Sequence, residues 1–377
     1  MHDVPLILFS GVACLLLLLP AKSQLRASNS STVLNIAWLC LGNTIHFVNC
    51  IAWWDNVANP APGWCDITTK LDVGLSCGLA ASSLCITRRL AAIASSRSVT
   101  ISQRQKRKTV FIDLLIGIGI PVLVMILSYI PQPHRFDIIE GFGCQFVVWR
   151  SLPAIFCLWI WPVGLGCVSI YYGLYAMRFF IARRLQFQSL LASSQSGLNS
   201  TQYFRLMALA SCDLLLGLPL SLYFLIVASV DLLPFNWADV HYGFSDVEHI
   251  SVSRFHEYWP RSALFSAFIL SKWLFPVLAF VFFLFFGVAE DATAEYVRWF
   301  DAVKRRLGHR SSLRDTDTSF FEPKLGSTMI RSLGTGWTDA GSTKDDSDHD
   351  EYAKSFASLP IGDSRGSQVT PITVLVE

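Results

Sequence analysis

What this sequence most conspicuously lacks is charge. Only 15% of its 377 residues are Asp, Glu, Lys or Arg, against roughly a quarter in soluble domains. That excludes an ordinary water-soluble fold for most of the chain. The 52% share of hydrophobic residues and the mean hydropathy of +0.44 agree. Acidic and hydroxylated residues gather after about residue 290, so the net charge of +2 averages an apolar body and a polar tail. Signatures of catalysis are missing too: the chain has no nucleotide-binding loop, nucleophile elbow or histidine box. His241, His249 and His256 share one loop, but not at metal-ligand spacing. The expectation is therefore no enzyme, no cofactor, no metal and no nucleic-acid partner. No basic residue precedes the first apolar run, so MHDV is read as leading into a retained helix, not a cleaved leader. The terminal ITVLVE has no cysteine to prenylate. The two halves show no internal repeat of the kind many transporters carry, which leaves a membrane transporter as the lesser alternative.

What is present is a set of seven apolar runs long enough to cross a bilayer. They are residues 4–21, 33–54, 71–94, 110–130, 152–177, 204–230 and 262–289. The fold expected is an all-α membrane protein, a seven-transmembrane helix bundle occupying residues 1–290. Lys22 and Arg26, then Arg97, Arg104, Lys106, Arg107 and Lys108, then Arg178, Arg183 and Arg184 fall in alternate loops. By the positive-inside rule those loops are cytoplasmic, which puts the amino terminus outside and the tail inside. The glycosylation sequons at Asn29 and Asn199 then lie where no glycan can be added. Residues 291–308 place Tyr296, Val303 and Leu307 at helical spacing, opposite Lys304, Arg305 and Arg306, and read as a membrane-surface amphipathic helix. Residues 309–377 are rich in Ser, Thr, Asp and Gly without periodicity and read as a disordered cytoplasmic tail.

Polar residues inside the spans are the functional candidates. Arg88 and Arg89 interrupt the third span in SLCITRRLAAIASSR. A helix entering from outside near Leu71 has crossed about 25 Å by Thr87 at 1.5 Å per residue. The two guanidiniums therefore reach the inner headgroups, where they can anchor the helix or face a cytoplasmic partner. Lys272, about ten residues into the seventh span, is the most costly charge. It could carry a retinal Schiff base, bridge to another helix, or contact a peptide or water in a cavity. A Schiff base requires a carboxylate at matching depth. The nearest acids are Asp72, placed at the outer edge of span three, and Asp213, about 13 Å above the inner face of span six. Pro121, Pro162, Pro219 and Pro276 fall within spans, and Pro219 is a candidate hinge for the inner part of span six. Cys65 and Cys144 lie in outer loops, where a disulfide would pin the second loop over the third span. Cys50 is a competing partner.

The stretch LCITRRLAAIASSR resembles the third-span signature of fungal lipopeptide mating-pheromone receptors, the a-factor-type class D seven-transmembrane receptors. LLPAKSQLRASNSSTVLNIAWLCLGN, NCIAWWDN, IIEGFGCQ, LPFNWADVHYGFSDV and SKWLFPVLAFVFFLFFG are similar to that family in the same order. The resemblance implies a G-protein-coupled receptor in the plasma membrane. Its partners would be a farnesylated peptide pheromone and a heterotrimeric G protein upstream of a mating kinase cascade, with a receptor dimer as a further partner state. No D/E-R-Y follows span three and no NPxxY closes span seven, so rhodopsin-type switches do not transfer. Burial of a farnesyl chain gains about 0.8 kcal/mol per CH₂, and aromatic residues crowd the outer half. Trp53, Trp54, Trp64, Trp159 and Lys272 are therefore the ligand-binding candidates. Arg88, Arg89, Lys106, Arg107, Arg183 and Arg184 are the candidates for G-protein coupling.

Overall fold

Hydrocarbon cannot hydrogen-bond a peptide group, so a chain this apolar satisfies its backbone within helices. The computed structural model describes residues 4–27, 29–95, 103–182, 200–251, 254 and 263–288. Among them are seven helices long and apolar enough to cross a membrane: α1 (Val4–Arg26), α2 (Ser30–Ala52), α3 (Pro62–Ser95), α4 (Gln103–Leu127), α5 (Leu152–Ile181), α6 (Ser200–Ala228) and α7 (Ala263–Phe286). The surface helix expected at 291–308, the tail at 309–377, Asn199, and Arg97, Arg183 and Arg184 lie outside the described residues.

The bundle is sorted as lipid demands. Leu15, Leu215 and Leu284 point outward, whereas Asn35, Asn43, Ser82 and Asp113 are fully buried. α3 is the most deeply enclosed span. It begins at Pro62, nine residues before the run expected at 71–94, because Pro is well suited to the first helical turn. Those extra turns stand above the apolar stretch and carry Cys65, Asp66 and Lys70. α4 likewise starts at Gln103 instead of 110, extending its basic first turns.

Two of the span prolines re-route hydrogen bonds. Pro121 has no N–H for the Gly117 carbonyl four residues back, and the preceding turn, Leu115–Gly119, is widened to π geometry. The indole of Trp38 on α2 donates to that carbonyl at 2.9 Å, so a backbone deficit in α4 becomes a clasp between helices. Trp38 also lies flat on Gly78 of α3, where a side chain would collide with it. A second π turn, Ile155–Trp159, precedes Pro162, and Trp161 donates to the Phe156 carbonyl at 3.0 Å.

At the end of the bundle where α3 begins, the structure adds an element that the helix-only expectation did not contain. β1 (Phe136–Ile139) pairs antiparallel with β2 (Gly143–Gln145) and parallel with β3 (Val247–Ile250), in the order β2-β1-β3. Gly141 and Gly143 adopt φ of 86° and 70°, so the EGFG turn uses backbone conformations that glycine tolerates. Trp53, Cys65, Phe136, Ile138 and Cys144 form the cluster beneath this cap, with Cys65 joined to Cys144. Cys50, the competing candidate, is buried and lies outside this disulfide.

His134, just before β1, meets the Asp137 carboxylate at 2.5 Å. The hydrogen bond to Asp137 outweighs partial burial and holds the imidazole pKa above its ordinary value. A raised folded pKa gives stability that is complete below the unfolded value near 6.5 and is lost as pH rises through the folded value. We expect the thermal midpoint of the purified protein to fall between about pH 6 and pH 8, and His134→Gln to flatten that slope. Equal slopes in a pH series of melting curves would contradict the pairing.

Candidate functional site

α3 serves as a ruler, because each polar layer of the bundle has a member on it. About 10 Å separates Cys65 from Asp72, about 16 Å separates Asp72 from Ser83, and about 8 Å separates Ser83 from Arg88.

The first layer is the cap. Trp53, 1% exposed, donates its indole N–H to the Ala58 carbonyl at 2.8 Å. Trp64 donates to Asn49 Oδ1 at 2.8 Å. Trp53 and Trp64, two of the four tryptophans expected to meet a ligand, thus hydrogen-bond within the cap. Trp54 is half-buried near them. Arg135 grips Asp66 through Nε and Nη2, at 3.1 and 2.5 Å. Lys70 donates to Ser128 Oγ at 3.0 Å and Gln132 Oε1 at 2.5 Å, and lies 5.2 Å from the Phe146 ring centroid.

The second layer couples α3 to α7. Lys272 Nζ stands 3.2 Å from Asp72 Oδ2, with both side chains largely enclosed. His46 of α2 lies 3.7 Å from Asp72 Oδ1 and edge-on to Phe275. Asp72 is not at the outer edge of its helix. The early start of α3 puts it ten residues into the helix, at the depth of Lys272. Asp213, the other candidate partner, is bonded elsewhere.

The third layer is a cavity of about 100 Å³ between α3, α5, α6 and α7. Its polar wall is Asp213 with Ser76, Ser83, Ser221 and Ser271, and its apolar wall includes Pro162, Phe224 and Phe275. Asp213 Oδ2 accepts from Ser83 Oγ at 2.7 Å and from Asn35 Nδ2 at 2.9 Å. Trp159 stacks on Phe224 with centroids 5.7 Å apart, and is the one candidate tryptophan against a cavity wall. Pro219 faces outward on α6, six residues beyond Asp213.

The fourth layer holds the two arginines. Each has a partner within the protein. Arg88 Nη2 contacts Asp113 Oδ1 of α4 at 2.6 Å, with Asp113 at 0% exposure. Ser30 donates to the other oxygen of that carboxylate at 2.5 Å. Arg89 donates to Asn29 Oδ1 at 2.6 Å. The sequon asparagine is thus buried as an arginine acceptor. Lys106 and Arg107 are exposed on α4.

Sequence reasoning missed Asp113, Asn29, Asn35 and His46. Asp113 carried a usable signal, since it is a lone acid in an apolar run, just as Lys272 is a lone base. The asparagines and His46 carried none that separates a ligand of a buried charge from a surface residue.

The profile of the family described as "STE3: Pheromone A receptor" matches residues 5–306, through all seven helices. The chain is 36% identical over 296 residues to the pheromone B alpha 1 receptor of Schizophyllum commune, covering 78% of this chain and 46% of that one. It is 35% identical over 299 residues to pheromone receptor 1 of Ustilago hordei, covering 76% and 80%. It is 26% identical over 297 residues to the pheromone a factor receptor of Saccharomyces cerevisiae, covering 78% and 61%. The match to the Schizophyllum protein spans about half of that relative's length.

Removing either member of the Arg88–Asp113 pair strands the other charge, which costs about 3–5 kcal/mol when a buried pair is broken. We expect Arg88→Ala and Asp113→Ala each to lower surface level and thermal midpoint strongly, and the double variant to recover much of the loss. Additive losses would show that the two residues act separately.

Proposed function

The chain belongs to the pheromone A receptor family as a multi-pass membrane protein of the plasma membrane, and from that premise we propose that it is a G-protein-coupled receptor for a farnesylated peptide pheromone. The family match running through all seven helices carries this reading. In it the capped end faces outside, the tail lies inside, and the chain has no enzymatic role. Two features support that orientation. The Cys65–Cys144 bond calls for an oxidising compartment, and Arg104, Lys106, Arg107 and Lys108 stand at the other end.

The lipid of the ligand would lie against Trp159 and Phe224, where α5 and α6 border the cavity, and its peptide would lie toward the cap. Trp53 and Trp64 would shape that cap from within. The Lys272–Asp72 pair would act as the constraint that agonist relaxes, since it ties α3 to α7 directly below. Movement would reach the inner end through α6, with Pro219 as its hinge. Lys106 and Arg107, together with Arg183 and Arg184, would face the heterotrimeric G protein that drives a mating kinase cascade. Arg88 and Arg89 would contribute by exchanging Asp113 and Asn29 for the partner. The pairing with Asp72 removes the counterion objection to a retinal Schiff base on Lys272. What sets rhodopsin aside is the family, whose matched relatives are named for pheromones.

Synthetic lipopeptides applied to receptor-null fungal cells expressing this chain, with a mating-pathway reporter, test the proposal. Farnesylated peptide is expected to be at least about 100-fold more potent than the same peptide without the lipid. Equal potency would remove the lipid contact from the reading, and silence toward every peptide at normal surface level would remove the receptor reading. Asp72→Asn should raise unstimulated reporter output, because it releases α7 from α3 and leaves Lys272 unpaired. Unchanged basal output at normal surface level would show that the pair is not the constraint.

A further inference from the structure

Asp213 is 6% exposed, near the middle of α6. Among the described residues no ion pair engages it. Its Oδ2 accepts two hydrogen bonds, while Oδ1 receives none. Asn35 is 0% exposed, spends its amide hydrogens on Ser82 and Asp213, and leaves its Oδ1 without a donor as well.

The hydroxyls around the adjoining cavity are donors already committed. Ser83 gives its proton to Asp213, Ser221 to the Gly217 carbonyl at 2.9 Å, and Ser271 to the Phe268 carbonyl at 2.7 Å. Ser82, beside Asn35, donates to the Leu79 carbonyl at 2.9 Å. The centre of the bundle therefore presents lone pairs and one formal negative charge. The volume of about 100 Å³ is several times what a single water needs.

We propose that Asp213, with Ser83 and the cavity beside them, binds a monovalent cation of sodium's size together with water. A proton would neutralise the carboxylate but satisfy one oxygen only, leaving the other acceptors as they are. A divalent ion calls for more oxygen ligands and more charge than a single carboxylate supplies. The described residues hold no cluster of three His, Cys, Asp or Glu. A monovalent ion matches the charge, and its hydration water supplies the missing donors. It would tie α6 to α2 and α3 about 9 Å along the helix from Pro219, and it does so whatever the identity of the agonist.

The test uses the purified full-length protein in lipid nanodiscs, with melting curves in sodium, potassium or choline chloride at equal ionic strength. Sodium should raise the midpoint saturably, by about 2–4 °C over choline. The shift should shrink in Ser83→Ala and vanish in Asp213→Asn. Identical wild-type midpoints in sodium and choline would overturn the proposal, and this comparison needs no variant to fold. A sodium shift that survives intact in Asp213→Asn would overturn the assignment to this site. A midpoint that follows pH with no preference among the ions would identify a proton as the occupant and overturn the cation.

Discussion

Lipid tails are as apolar as leucine, so hydrophobicity keeps seven helices in the bilayer without saying which neighbour each should have. Charge in hydrocarbon supplies the missing information, because an ion there must be matched or neutralised. α3 concentrates that requirement. Along one rod it carries Lys70, Asp72, Ser82, Ser83, Arg88 and Arg89, and their partners are spread over several other elements. Asp72 draws in α7, Ser83 draws in α6, and Arg88 draws in α4. Arg89 fixes the turn between α1 and α2. A sliding or rotated α3 would break several of these matches at once, each a large fraction of the 5–15 kcal/mol by which proteins are stable. The hydrophobic contacts then fill a register already chosen.

The same logic extends to the backbone. Proline within a membrane helix creates a carbonyl that neither water nor lipid can satisfy. Pro121 and Pro162 each follow a π turn, and each is accompanied by a tryptophan whose indole N–H meets a nearby carbonyl. Trp38 is therefore as much a part of α4's hydrogen bonding as of α2's packing. Tryptophans in such chains are commonly read as interfacial. Here depth and hydrogen-bond need, more than amphipathicity, explain two of them.

The spans were legible because length and apolarity are local properties, and the family was legible because long strings agree in order. Partnerships were not. The depth of Asp72 is not legible because α3 continues beyond the apolar run, where Asp66, Thr68, Thr69 and Lys70 hide its start from a hydropathy reading. Arg88 and Arg89 read alike as anchors or as residues facing a partner, because a snorkelling arginine and an arginine paired with Asp113 have the same sequence neighbourhood. The strands were missed because FDII and VEHI are four residues each, lie more than a hundred positions apart, and pair only once the helices have gathered their ends.

The Cys65–Cys144 bond closes a covalent ring around a helical hairpin. The ring runs down α3, through residues 96–102, and back up α4. A protease that cuts within 96–102 on the far side of the membrane would sever the peptide chain without producing two molecules. The amino-terminal and carboxy-terminal pieces would stay one species until a reductant reached the capped end. Continuity of the chain at that point is held by sulfur as well as by peptide, and the two bonds stand on opposite sides of the bilayer.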